Sequence, residues 1–107
     1  MGKARKSFTE YLDQLIAEAT TDTYNESEQL IGFFTMIEEN LALPFLTQML
    51  GQDVTIANVD MTDRDGIIAI CSRGKEKQSI PILDLTMPNP LPAGAEWIEA
   101  YRRWCST

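Results

Sequence analysis

Val54-Thr55-Ile56-Ala57-Asn58-Val59, then Asp60-Met61-Thr62-Asp63-Arg64-Asp65-Gly66, then Ile67-Ile68-Ala69-Ile70-Cys71, is the stretch from which the fold can be read. β-branched and apolar residues dominate both outer runs, and the central seven residues hold a glycine among polar groups, so the whole predicts two strands of a hairpin. The turn is unusually acidic. Asp60, Asp63 and Asp65 supply carboxylate oxygens, the ligands that hard ions such as Ca²⁺ prefer, whereas a plain hairpin needs only Gly66. Two readings therefore stand, a solvated turn and a cation site.

Outward from this hairpin, Gly51-Gln52 reads as a turn and Phe45 to Leu50 is ambiguous between helix and strand. Arg73-Gly74-Lys75-Glu76 supplies another turn, and Ser79-Ile80-Pro81-Ile82-Leu83 a further strand whose proline suits an edge. Short sequential strands of this kind are expected to curl into a small antiparallel SH3-like β-barrel over residues 44–86, which hides the sheet edges.

Helical periodicity governs the flanks. Ser7-Phe8-Thr9-Glu10 has the capping-box pattern, and Phe8, Tyr11, Leu12, Leu15, Ile16 and Ala19 follow at helical spacing. Thr23 and Glu26 suggest a second box, leading into Leu30, Ile31, Phe33, Phe34, Ile37 and Leu41. That helix should stop before Pro44, because the residue ahead of a proline avoids helical angles. Residues 7–42 thus form an expected N-terminal helical hairpin. Three prolines in Met87-Pro88-Asn89-Pro90-Leu91-Pro92-Ala93-Gly94 make a connector. A C-terminal helix over 95–106 then presents Trp97, Ile98, Tyr101, Trp104 and Cys105 on one stripe, expected to dock on the rest. The fold class is α+β, in a single domain over residues 1–107, since this length supports one core.

Composition narrows the function. Net charge is −7, so nucleic acid is repelled overall and cations or basic partners are favoured. No apolar run approaches the roughly 20 residues needed to cross a bilayer, so a membrane partner is not expected. The segment after the basic 1–6 is charged and amphipathic where a signal peptide is apolar, which points to the cytoplasm. The chain has no histidine and two cysteines, Cys71 and Cys105, without Cys-x-x-Cys spacing; zinc and histidine catalysis are not expected, and the thiols read as reduced. With no nucleophile elbow and no phosphate-cradling glycine loop, the chain is not expected to be an enzyme.

An EF-hand register fails on this hairpin. With Asp63, Asp65 and Gly66 at its third, fifth and sixth positions, the first falls on Met61 and the twelfth on Ser72, so the first ligand and the bidentate glutamate are missing. Glu38 and Glu39 are a second oddity, since they fall near the C-terminal end of the second predicted helix, where the macrodipole disfavours negative charge. A bound cation or plain exposure to water would account for them.

Glu38-Glu39-Asn40-Leu41-Ala42-Leu43-Pro44-Phe45, the β segment reaching Asp60-Met61, Ile80-Pro81-Ile82-Leu83-Asp84-Leu85, and Trp97 through Trp104 together resemble the cyanobacterial CcbP-type family of small acidic calcium-binding proteins. The resemblance runs from about Phe34 to the C-terminus and leaves the N-terminal helical hairpin outside it. It implies a bacterial, intracellular protein that binds Ca²⁺ through carboxylates, for buffering or signalling. By that resemblance Glu38 and Glu39 are carried over as ligands from the matching motif, with Asp60, Asp63 and Asp65 as the acidic loop. The alternative is a protein-interaction module with an SH3-like barrel and no metal, presenting the Trp97, Tyr101 and Trp104 stripe or the Arg73 to Lys77 turn to a partner.

Overall fold

The Ser7 hydroxyl accepts the Glu10 amide at 3.0 Å while the Glu10 carboxylate accepts the Ser7 amide at 3.0 Å, so the chain enters its first helix through the expected capping box. The computed structural model describes residues 7–106, and the basic segment 1–6 lies outside the described residues. Helix α1 spans Phe8–Ala19. The Thr20 and Thr21 hydroxyls end it by donating to the Ile16 and Ala17 carbonyls at 2.7 and 2.8 Å.

Helix α2 spans Glu26–Asn40 and begins two residues later than the Thr23–Glu26 box predicts. Asn25 caps it instead, accepting the Glu28 amide at 2.9 Å, while Thr23 donates to the Thr20 carbonyl at 2.6 Å. Asparagine caps at least as well as threonine, and Thr23 is occupied in closing the preceding turn. The helix stops ahead of Pro44, as the proline requires.

Four antiparallel strands follow in meander order: β1 Phe45–Met49, β2 Gln52–Thr62, β3 Gly66–Arg73 and β4 Glu76–Pro81. Pairing with β2 resolves the ambiguous first segment as a strand, joined through Leu50 and Gly51, which take φ of 52° and 77° as a type I′ turn demands. Pro81 has no amide to donate, and the chain turns there into a 3-10 turn, Ile82–Asp84, that buries Ile82. The predicted strand through Leu83 therefore ends early.

The sheet is open, with β1 and β4 at its edges, and the SH3-like barrel expected from the sequence does not close. Hiding the edges is managed otherwise. The connector after the 3-10 turn runs past β1, where the buried Thr47 hydroxyl donates to the Thr86 carbonyl. β4 carries exposed Glu76 and Lys77 along the opposite edge, charges that oppose further strand pairing.

Helix α3, Glu96–Cys105, completes the fold. α2 lies across β2 and β3, while α1 packs against both α2 and α3, so the helices form a three-membered layer rather than a self-contained hairpin plus one. Arg103 ties that layer together by gripping Asp13 with two hydrogen bonds of 2.7 and 3.3 Å. Close approach of α1 to α2 depends on Gly32, since a Cβ there would lie 2.0 Å from the Ala19 carbonyl oxygen. Phe33, Ile37, Ile56, Ile67, Ile82 and Ile98 are completely buried between helices and sheet. Phe33 sits with Tyr101 and Trp104 in an aromatic cluster, its ring centroid 5.8 and 5.1 Å from theirs.

Candidate functional site

Strand β2 continues through Met61 and Thr62 before the chain reverses, so the acidic stretch is not one free loop. Thr62 pairs with Gly66, leaving only Asp63-Arg64-Asp65 outside the ladder. The Thr62 hydroxyl accepts the Asp65 amide at 3.0 Å, and Gly66 takes φ of 70°, the left-handed residue that a three-residue hairpin loop requires. A side chain at Gly66 is disfavoured twice, by that backbone and because a Cβ there would lie 2.8 Å from the Tyr101 hydroxyl, which would have to shift.

Asp60 belongs to the strand, opposite Ile68, and its carboxylate accepts the Met61 amide at 2.8 Å. Val59 and Met61 turn toward the helices, so Asp60 points to the other face of the sheet, by the period of two along a strand. Asp63 and Asp65 sit at the exposed tip. Among the described residues none of the three forms an ion pair.

Glu38 and Glu39 are exposed on the last turn of α2, which contains no basic residue. Their place relative to the hairpin follows from Leu30, whose Cδ1 lies 3.9 Å from the position of a Cβ on Gly66. Glu38 is eight residues further along the helix, about 12 Å of axial rise. The hairpin thus backs onto the beginning of α2, whereas the glutamates occupy its end. Among the described residues no three Asp, Glu or Cys side chains gather closely enough to hold a metal ion. Asp84, on the 3-10 turn, is exposed as well. Chemically, the hairpin offers carboxylates that a cation would have to draw together, and it has no preformed cage.

The tryptophan stripe turns inward. Trp97 and Tyr101 are buried, and Trp104 packs on Phe33 while its indole N–H donates to the Gln29 side chain at 3.1 Å. Burial pushes the Tyr101 phenol up from its ordinary value. Trp97 and Tyr101 belong to the core, and Trp104 packs against it.

One feature at the far end of the sheet escapes the sequence reading. The apolar residues of β2 fall at Val54, Ile56, Val59 and Met61, one residue too many for strict alternation, and the strand absorbs the extra residue as a bulge between Ile56 and Asn58. All four therefore face the helices. On this face Thr47, Ile56, Val59, Ile67, Ala69 and Cys71 are buried, while Val54, Ile80 and Met49 are only partly so. Over this partly buried end lies a depression of about 640 Å³ with Met49, Val54, Cys71 and Ile80 in its lining and Arg73, Glu76, Lys77 and Gln78 beside them. Burial raises the Cys71 thiol above its ordinary value, so it presents a neutral, apolar surface. The broken alternation in β2 was the available signal.

No helix among the described residues is long and apolar enough to cross a membrane. No family model, curated protein or solved structure matches the chain.

Proposed function

We propose that the chain binds Ca²⁺ weakly through the β2–β3 hairpin, with Asp63 and Asp65 as its first ligands, Asp60 recruited from the strand end, and no catalytic activity. The carrying observation is that three exposed carboxylates belong to one hairpin and none of them forms an ion pair among the described residues. Two such charges about 6 Å apart repel by nearly 3 kcal/mol at an effective dielectric of 20, a repulsion that a divalent ion relieves. The resemblance of the 38–45 and 80–85 segments to CcbP-type proteins supports the same reading. Glu38 and Glu39 belong to that resemblance as ligands, but about 12 Å of helix rise between Leu30 and Glu38 argues for leaving them out of the hairpin site. Few ligands, open to water and not held in a cage, suit the millimolar end of the calcium range, about 10⁻⁴ to 10⁻³ M.

Calorimetric titration of the metal-free protein tests this directly. Calcium at about ten times its dissociation constant should stabilise the fold by roughly 1.4 kcal/mol and raise the melting temperature, with a smaller rise for Mg²⁺. Asp63→Asn with Asp65→Asn should abolish the calcium shift and leave the metal-free melting temperature equal or higher. Absence of both heat and thermal shift at millimolar calcium would end the proposal. If Glu38→Gln with Glu39→Gln removed the shift instead, the ligands would be those glutamates.

A further inference from the structure

We infer that Asp65 is a site of slow self-modification, at which its side-chain carboxyl carbon closes on the Gly66 backbone nitrogen and the chain reopens as isoaspartate. Of all the aspartates, only Asp65 precedes a glycine. With no Cβ, Gly66 leaves its nitrogen open to the preceding side chain and lets the backbone turn toward it. Asp65 is exposed in the hairpin tip, outside the β2–β3 ladder, and among the described residues no hydrogen bond or ion pair holds its carboxylate away. Only its amide is tethered, to the Thr62 hydroxyl at 3.0 Å, which leaves the Cα–Cβ bond free to turn. Gly66 itself belongs to the last pair of the ladder, Thr62 with Gly66, the rung that opens first when a hairpin frays.

The other aspartates show what this pair combines. Asp60 already holds its carboxylate 2.8 Å from the Met61 amide, the nitrogen that would attack it, yet Met61 carries a long side chain and is fixed in the ladder opposite Ile67. Asp63 shares the exposed tip but precedes Arg64, whose side chain crowds the nitrogen. Asp13 is gripped by Arg103, and Asp53 bonds to Gln48 ahead of β-branched Val54. Asp22 and Asp84 precede Thr23 and Leu85. At Asp65 the carboxylate takes a proton from solvent and the Gly66 nitrogen bonds to Cγ. The nitrogen's own proton departs with a carboxyl oxygen as water, leaving a five-membered succinimide. Water then adds at either carbonyl: opening at Cγ restores aspartate, whereas opening at the α-carbonyl leaves Gly66 joined to Cγ and frees the α-carboxylate, returning the proton to solvent. Isoaspartate lengthens the backbone by one methylene carbon, in a loop whose Thr62–Gly66 pairing and seat beside the Tyr101 hydroxyl fit the shorter chain. Calcium is not required for any step, so failure of either reading leaves the other standing.

Ageing the full chain near neutral pH, folded and with chelator present, tests the inference. Peptide mapping by mass spectrometry with electron-transfer fragmentation tells isoaspartate from aspartate at each position. Isoaspartate should build up at Asp65 at least about tenfold faster than at any other aspartate, and at no less than about a tenth of its rate in the same chain unfolded by urea. Asp65→Glu keeps the charge but would need a six-membered ring, and it should remove nearly all isoaspartate from the protein. The inference is overturned if folded wild type shows no isoaspartate at Asp65, whether or not the unfolded chain does, since the hairpin then keeps carboxyl and nitrogen apart. It is equally overturned by an isoaspartate content that Asp65→Glu leaves unchanged. Should Asp65→Glu fail to fold, the wild-type map at Asp65 decides alone.

Discussion

Replacing Gly32 by alanine should destabilise the protein, against the ordinary sign of such a change. Within a helix, Gly→Ala gains about 1 kcal/mol, because glycine loses more backbone freedom on folding. Here the new methyl group would lie 2.0 Å from the Ala19 carbonyl oxygen and 3.1 Å from its carbon, both backbone atoms that no rotamer change can move aside. α1 would have to retreat from α2 by more than an ångström, and Leu12, Leu15 and Ala19, its buried residues, would lose contact with the layer. Overpacking of a filled core costs about 3 kcal/mol at the upper end of its usual range, so the net loss after the helix gain is about 2 kcal/mol. In a domain of this size that lowers the melting temperature by roughly 10 °C. Urea unfolding followed by tryptophan fluorescence reads the change from Trp97 and Trp104, which both sit against the core. A Gly32→Ala protein as stable as the wild type, or more so, would refute the close α1–α2 contact on which this rests.

The Arg103 guanidinium beside Asp13 holds that carboxyl below its ordinary value near 3.8. A depressed carboxylate stabilises the fold above the unfolded value and loses that contribution as pH falls through the folded one. Asp13→Asn should therefore lower stability near neutrality and flatten its decline below about pH 4, measured by denaturant unfolding across an acid series; an unchanged acid profile would argue against the pair. Under native conditions Cys105, exposed, should react with a thiol reagent while Cys71, 4% exposed, reacts only on unfolding. Mass spectrometry of the labelled protein distinguishes one adduct from two, and two adducts without denaturant would contradict the buried position of Cys71.

Much of the local structure was legible in the chain. The Ser7–Glu10 box, the helical spacing of Leu12, Leu15, Phe33 and Ile37, the halt before Pro44 and the inward stripe of Trp97 and Tyr101 all follow from periodicities of a few residues. So does the hairpin around Gly66. Each of these depends on neighbours close in sequence, where side-chain spacing and backbone chemistry act directly. The start of α2 was misplaced by two residues because Thr23 and Asn25 are both able caps, and only the turn hydrogen bond from Thr23 to Thr20 separates them.

The candidate site was legible only as a set of residue types. That Asp60, Asp63 and Asp65 share one hairpin could be read from the sequence. That Glu38 and Glu39 sit at the far end of α2 from it could not, because Leu30 meeting Gly66 is a contact between distant parts of the chain.

By itself, the sequence determined three helices, a run of hairpin-linked strands and an acidic turn, since these are set by alternation, capping and proline geometry over a few residues. Only the tertiary structure decided that Phe45–Met49 pairs as a strand and that four strands stay open instead of closing. It alone decided that Met49, Val54 and Ile80 are only partly buried. The reason is common to all of these: closure and coverage depend on which surfaces meet across the fold, and local spacing carries no record of that meeting.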